Sequence, residues 1–154
     1  MIRIRKKQKG DTIIEVLISL AILTAVLGGA YYTANLSFRN DQSSQEHTQA
    51  LTIAQTQIED LRIYGSGFPG ADQCLTINSN KIAASTACKV PSNNSAQYVS
   101  RCPSGAPFCY TVDLSKVNSV TLHGVTLNTF QVNVNWPALG GGQNDVTLYY
   151  RVDS

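Results

Sequence analysis

Two periods of apolar residues divide the chain. From Ile13 to Ala34, 22 residues are apolar on nearly every side, and Glu15 is their only charge. An all-round apolar helix belongs inside a large core or a membrane. At 1.5 Å rise per residue this run spans roughly 33 Å, about one bilayer core. Tyr31 and Tyr32 near its end suit a membrane–water interface. Asp11, after the helix-breaking Gly10, fits a helix N-cap or first-turn acid. No proline precedes Pro69, so nothing stops the helix at the membrane surface. Residues 40–49 are polar and weakly periodic. Leu51, Ala54, Ile58 and Leu61 then recur at three- and four-residue spacing, with Gln55, Gln57, Glu59 and Arg62 on the other sides. This predicts a helix continuing to about Arg62, ended by the glycine-rich run Tyr64-Gly65-Ser66-Gly67-Phe68-Pro69-Gly70.

Beyond residue 107 the period becomes two. Tyr110, Val112 and Leu114 alternate with polar neighbours, as do Phe130, Val132, Val134 and Trp136, and later Val146, Leu148, Tyr150 and Val152. Val120-Thr121-Leu122 and Val125-Thr126-Leu127 flank His123-Gly124, a hairpin signature. The apolar phase slips at Asn128, which predicts a bulge or break there. Pro137 and Gly140-Gly141-Gly142 mark the next turn. These three or four antiparallel strands have one apolar face, and the Leu51–Leu61 stripe is its cover. The expected fold class is α+β: a long N-terminal α-helix, membrane-embedded in its first half, packed on a small C-terminal antiparallel β-sheet. The expected divisions are a leader (1–10), a membrane half of the helix (11–34), an outer half (35–62), a cysteine-bearing loop region (63–107) and a sheet (108–154). Within the loop region a short strand is expected near Leu75–Asn78.

Charge sharpens the N-terminal reading. Arg3, Arg5, Lys6, Lys7 and Lys9 precede the apolar run without an acid, which places the N-terminus inside and the C-terminal part outside. The formal charge is +2; without residues 1–10, seven basic residues face ten acids and it becomes −3. That argues against a nucleic-acid surface built on phosphate neutralisation. Cys74, Cys88, Cys102 and Cys109 all follow the membrane segment, and an even count outside the cytoplasm reads as two disulfides. Of three possible connectivities, Cys74–Cys88 and Cys102–Cys109 close the smallest loops and are favoured. No Cys-x-x-Cys occurs, and His47 and His123 lie far from the cysteines, so neither a metal nor a cofactor is expected. No nucleophile motif of the Gly-x-Ser-x-Gly kind is present, so the chain reads as no enzyme.

Glu15 is the residue that a plain anchor does not explain. A charge at the centre of a membrane helix costs roughly 2.5–3.5 kcal/mol on insertion scales, less towards the ends, and implies a partner inside the bilayer. A secretory signal cleaved near Gly28 or Ala30 needs no such acid, nor does an unprocessed single-span anchor.

At these residues the chain resembles the type IV pilin-like family, which includes the pseudopilins of type II secretion systems. The shared pattern is a short basic leader ending in glycine, then an apolar helix with glutamate as its fifth residue. Here Lys9-Gly10 ends the leader, and Glu15 is fifth counting from Asp11. Ala54–Arg62 is similar to the helix ending of minor pilins and minor pseudopilins, and Thr129–Pro137 with Val146–Val152 to their terminal hairpin. The resemblance implies cleavage between Gly10 and Asp11 by a prepilin peptidase, with N-methylation of Asp11. It implies pairing of Glu15 with the N-terminal amine of a neighbouring subunit, which in low dielectric can set axial register. Implied partners are other pilin or pseudopilin subunits, the peptidase, and an inner-membrane assembly platform with its ATPase. The implied location is the cytoplasmic membrane before assembly and a periplasmic or extracellular filament after it. The chain departs from the family at Asp11, where phenylalanine or methionine is usual; this sets a second acid beside the amine. Gly28-Gly29 fits close helix packing or, alternatively, a point where the helix melts on assembly. A ligand-binding tip subunit, adhesin or DNA-uptake pilin, is the competing functional reading.

Overall fold

The computed structural model describes residues 12–65, 67–68, 73–78 and 81–153. One helix, α1 (Thr12–Tyr64), is followed by β1 (Cys74–Asn78), β2 (Lys81–Ser85), β3 (Lys89–Pro91), β4 (Cys109–Leu122), β5 (Val125–Pro137) and β6 (Gln143–Asp153). The chain divides into two compact units, Met1–Asp41 and Gln42–Ser154. In the first, the described residues are all helical, and from Ile13 on their side chains are exposed. The second holds the outer part of α1 and every strand.

The helix ends two residues later than expected. Gly65 takes a positive φ of 83°, and its N–H donates to the Leu61 carbonyl at 2.8 Å, a left-handed cap on the last turn.

Two antiparallel sheets follow, β1–β2 and β3–β4–β5–β6. The stretch predicted to be loop-rich therefore contains three short strands, only the first of which was expected. β2 (KIAAS) and β3 (KVP) are too short to show a period; pairing to β1 and β4 makes them strands. The hairpin read at His123-Gly124 is present as a two-residue turn, with φ of 52° and 85°, and Val125 faces Leu122.

The irregularity expected at Asn128 lies instead on the opposite strand, where the β4–β5 register shifts between Lys116 and Asn118. β5 keeps its phase from Asn128 through Phe130, Val132 and Val134 to Trp136, all buried. Asn128 is a polar side chain in an inward position.

The core lies between this face and the outer part of α1. Tyr110, Val112 and Leu114 of β4 join Phe130 to Trp136 of β5 and Val146 of β6 against Ala50, Ile53, Ala54 and Leu61. Phe68, just past the helix end, meets Phe130 edge-on with ring centroids 6.1 Å apart. The fold is α+β, a long helix packed on an antiparallel sheet, as the two periods predict.

The inward face of α1 differs from the predicted stripe. Leu51 and Ile58 are only half-buried, while Gln57 is completely buried and Glu46 is 5% exposed. Gln57 accepts from the Leu75 N–H at 2.7 Å, and its amide donates to the Leu75 carbonyl at 2.8 Å and to the Tyr98 hydroxyl at 2.9 Å. Glu46 accepts from Trp136 Nε1 and from Gln42 Nε2, each at 3.3 Å. Both buried polar groups are satisfied by partners that periodicity alone cannot supply.

Candidate assembly segment of the N-terminal helix

Sequence reasoning places the chemistry at the start of α1. Gly10 and Asp11, the expected cleavage point and modified terminus, lie outside the described residues. Glu15 stands in the first turn of α1, where a negative charge is favoured by the helix dipole. Its side chain is exposed, and among the described residues no hydrogen bond or ion pair reaches its carboxylate.

What surrounds Glu15 is apolar and also exposed. Ile14, Val16 and Ile18 are each more than half exposed, and the pattern continues through Leu20, Leu23 and Leu27. An 18-residue window of this helix has a mean hydropathy of 2.3 and is 0% buried, so the helix is long and apolar enough to cross a membrane. Its polar side chains are spent on its own backbone. Ser19 donates to the Glu15 carbonyl at 2.8 Å, Thr24 to Ala21 at 2.9 Å, and Thr33 to Ala30 at 2.9 Å. Such back-bonding lets hydroxyls sit in an apolar medium without orphaned donors. Gly28 and Gly29 lie within continuous helix, and a Cβ built on either would meet nothing within 4 Å. Among the described residues nothing packs against either glycine.

The four cysteines form two disulfides, Cys74–Cys88 and Cys102–Cys109, with Cα–Cα separations of 5.5 and 5.8 Å. The first joins the start of β1 to the approach to β3, with both cysteines buried. The second closes the exposed loop leading into β4. His47 is exposed and lies edge-on to Trp136, with ring centroids 6.1 Å apart, and His123 occupies the β4–β5 turn. Among the described residues no cluster of His, Cys, Asp or Glu could hold a metal ion.

Sequence reasoning missed the polar residues of α1 that touch the sheet, Glu46 and Gln57. The available signal was their place on the inward face: Glu46, Ala50, Ala54, Gln57 and Leu61 recur at three- and four-residue intervals. Polar character at two of those positions concealed the row.

Comparison with known protein families identifies the prokaryotic N-terminal methylation motif over residues 5–31. No curated protein and no solved structure matches the chain. The motif covers the second half of the basic leader, Glu15 and most of the apolar run, and the chain folds as a long helix on an antiparallel sheet. Residues 5–31 thus carry the N-terminal methylation motif that marks type IV pilin-like proteins, at the head of a chain with a pilin-like α+β fold.

Proposed function

We propose that this chain is a minor pilin or minor pseudopilin, cleaved after Gly10 and built into a filament through α1. The observation that carries the reading is Glu15: a carboxylate without a partner among the described residues, in a helix segment whose large apolar side chains are exposed. Lipid covers those side chains before assembly, and neighbouring helices cover them after it. Only the second environment can also supply a cation, the N-terminal ammonium of an adjacent subunit. In low dielectric that pair is strong, and a mis-registered neighbour leaves the charge buried alone, which is costly. Gly28 and Gly29 support the same reading, since their lack of side chains allows a second helix to approach closely. The basic leader supports an N-terminus on the cytoplasmic side before processing. The similarity of Ala54–Arg62 and of the β5–β6 hairpin to minor subunits supports the minor role.

Co-expression with a prepilin peptidase, followed by N-terminal sequencing, tests the first step. Asp11 should become the first residue; a chain still beginning at Met1 would sink the proposal. The Glu15→Ala variant should be cleaved normally and enter filaments poorly, whereas full incorporation would contradict the pairing.

A further inference from the structure

A groove of about 660 Å³ runs between the outer part of α1 and the segment from Ser85 to Tyr98. The helix wall, which also includes Gln49 and Ile53, carries a row of Thr48, Thr52, Thr56 and Asp60, spaced by four and so about 6 Å apart along the axis. The three threonine hydroxyls donate to the carbonyls of Ser44, Thr48 and Thr52 at 2.8, 3.0 and 2.9 Å. Their protons are consumed by the helix, so each oxygen has only acceptor capacity left for the groove. The row ends at Asp60, which is 8% exposed. Among the described residues no hydrogen bond or ion pair reaches that carboxylate. Burial, reinforced by the negative charge of the adjacent Glu59, raises the pKa of Asp60.

The opposite wall is pinned. Cys88 is joined to Cys74, and Lys89 and Val99 exchange backbone hydrogen bonds of 3.0 and 2.8 Å. Tyr98 is held from below, its oxygen accepting from Gln57. The groove therefore exists before any ligand arrives, which limits the ordering cost of binding.

A row of acceptors ending in a buried carboxylate, unpaired among the described residues, needs a donor with positive charge. We infer that this groove is a binding site for a primary ammonium group, held by Asp60 with its flanking N–H or O–H donors laid on the threonine row. The ammonium could come from a lysine side chain of an extended peptide or from a free polyamine. The inference is independent of the filament reading, because every residue in it belongs to the unit Gln42–Ser154.

The test is a titration of the ¹⁵N-labelled full chain in detergent micelles, with spermidine in one arm and a lysine-containing tripeptide in the other. Saturable amide shifts at Thr52, Thr56, Ser95 and Gln97 are expected in at least one arm, and the tighter arm identifies the source. The same tripeptide acetylated on its lysine should not bind. Asp60→Asn keeps the side chain's size and should weaken binding about tenfold or more, the scale of a charge-assisted hydrogen bond. Thr52→Val, isosteric and distant from the carboxylate, should weaken it about threefold by the loss of one neutral acceptor. Failure of both amines to saturate, equal binding of the acetylated peptide, shifts mapping outside the groove, or unchanged affinity in both variants would each overturn the inference.

Discussion

Gln57 occupies the place of a neighbouring strand for Leu75. Its side-chain oxygen and nitrogen bond the Leu75 N–H and C=O at 2.7 and 2.8 Å, 18 residues away in sequence. Both groups are buried, and among the described residues the β1–β2 sheet has two strands only, so no third strand satisfies them. A glutamine amide offers the same donor and acceptor as a peptide group, so a helix here closes the edge of a sheet.

Replacing Gln57 with leucine should therefore destabilise the folded unit by about 2–4 kcal/mol, because two buried main-chain groups lose their partners. Urea denaturation of the full chain in detergent, followed by tryptophan fluorescence, measures this. A midpoint within error of the wild type would show that Leu75 finds other partners.

Alkaline pH should unfold the protein over a defined window. Burial raises Tyr98 to a pKa of about 12; the Gln57 hydrogen bond opposes this and Asp60 reinforces it. Burial, reinforced by Glu46, likewise raises Tyr110 to about 12. Both values exceed the ordinary 10.0, so the native state holds these two protons more tightly than the unfolded chain. Their stabilisation is complete below pH 10 and is lost as pH rises through about 12. Ultraviolet titration should show Tyr98 and Tyr110 ionising late in the native protein and earlier once urea is added.

The two disulfides should differ in weight. Cys74–Cys88 closes a separation of 14 residues with both partners buried, whereas Cys102–Cys109 closes 7 in an exposed loop. Replacing the first pair by serines should cost about 3 kcal/mol or more, since chain entropy and the burial of two hydroxyls act together. The second should cost less, about 2 kcal/mol. Denaturation midpoints of the two double variants decide the order.

Gly65→Ala should cost about 1 kcal/mol by forcing a side chain to a φ of 83°. The added Cβ would meet nothing within 4 Å, so the cost is conformational alone. Gly67→Ala, at a glycine without a positive φ, is the matched control and should leave the midpoint unchanged.

Much of this architecture is legible in local pattern. The alternation from Phe130 to Trp136 requires a strand with one buried face, and the His123-Gly124 dipeptide requires a two-residue turn. The β1 strand was visible in Leu75-Thr76-Ile77. By contrast β2 and β3, at five and three residues, carry no period and become strands by pairing. The slip at Asn128 was visible but pointed to the wrong strand, because an asparagine at an inward position resembles a break in phase. Gln57 read as a surface residue because its partners, Leu75 and Tyr98, are 18 and 41 positions away.

The apolar segment around Glu15 could be read from its own residues, because a run that is hydrophobic on every side has no stable exposure to water. A charge within such a run needs a partner wherever the chain folds, so the sequence sufficed to single out Glu15 as the residue on which the proposed assembly chemistry rests. The buried polar groups could not be read that way. Whether Glu46, Gln57 or Asp60 is solvated, bonded or left bare depends on which distant groups the fold sets against it. The tertiary structure decided each differently: Trp136 and Gln42 for Glu46, the Leu75 backbone and Tyr98 for Gln57, and an open groove for Asp60.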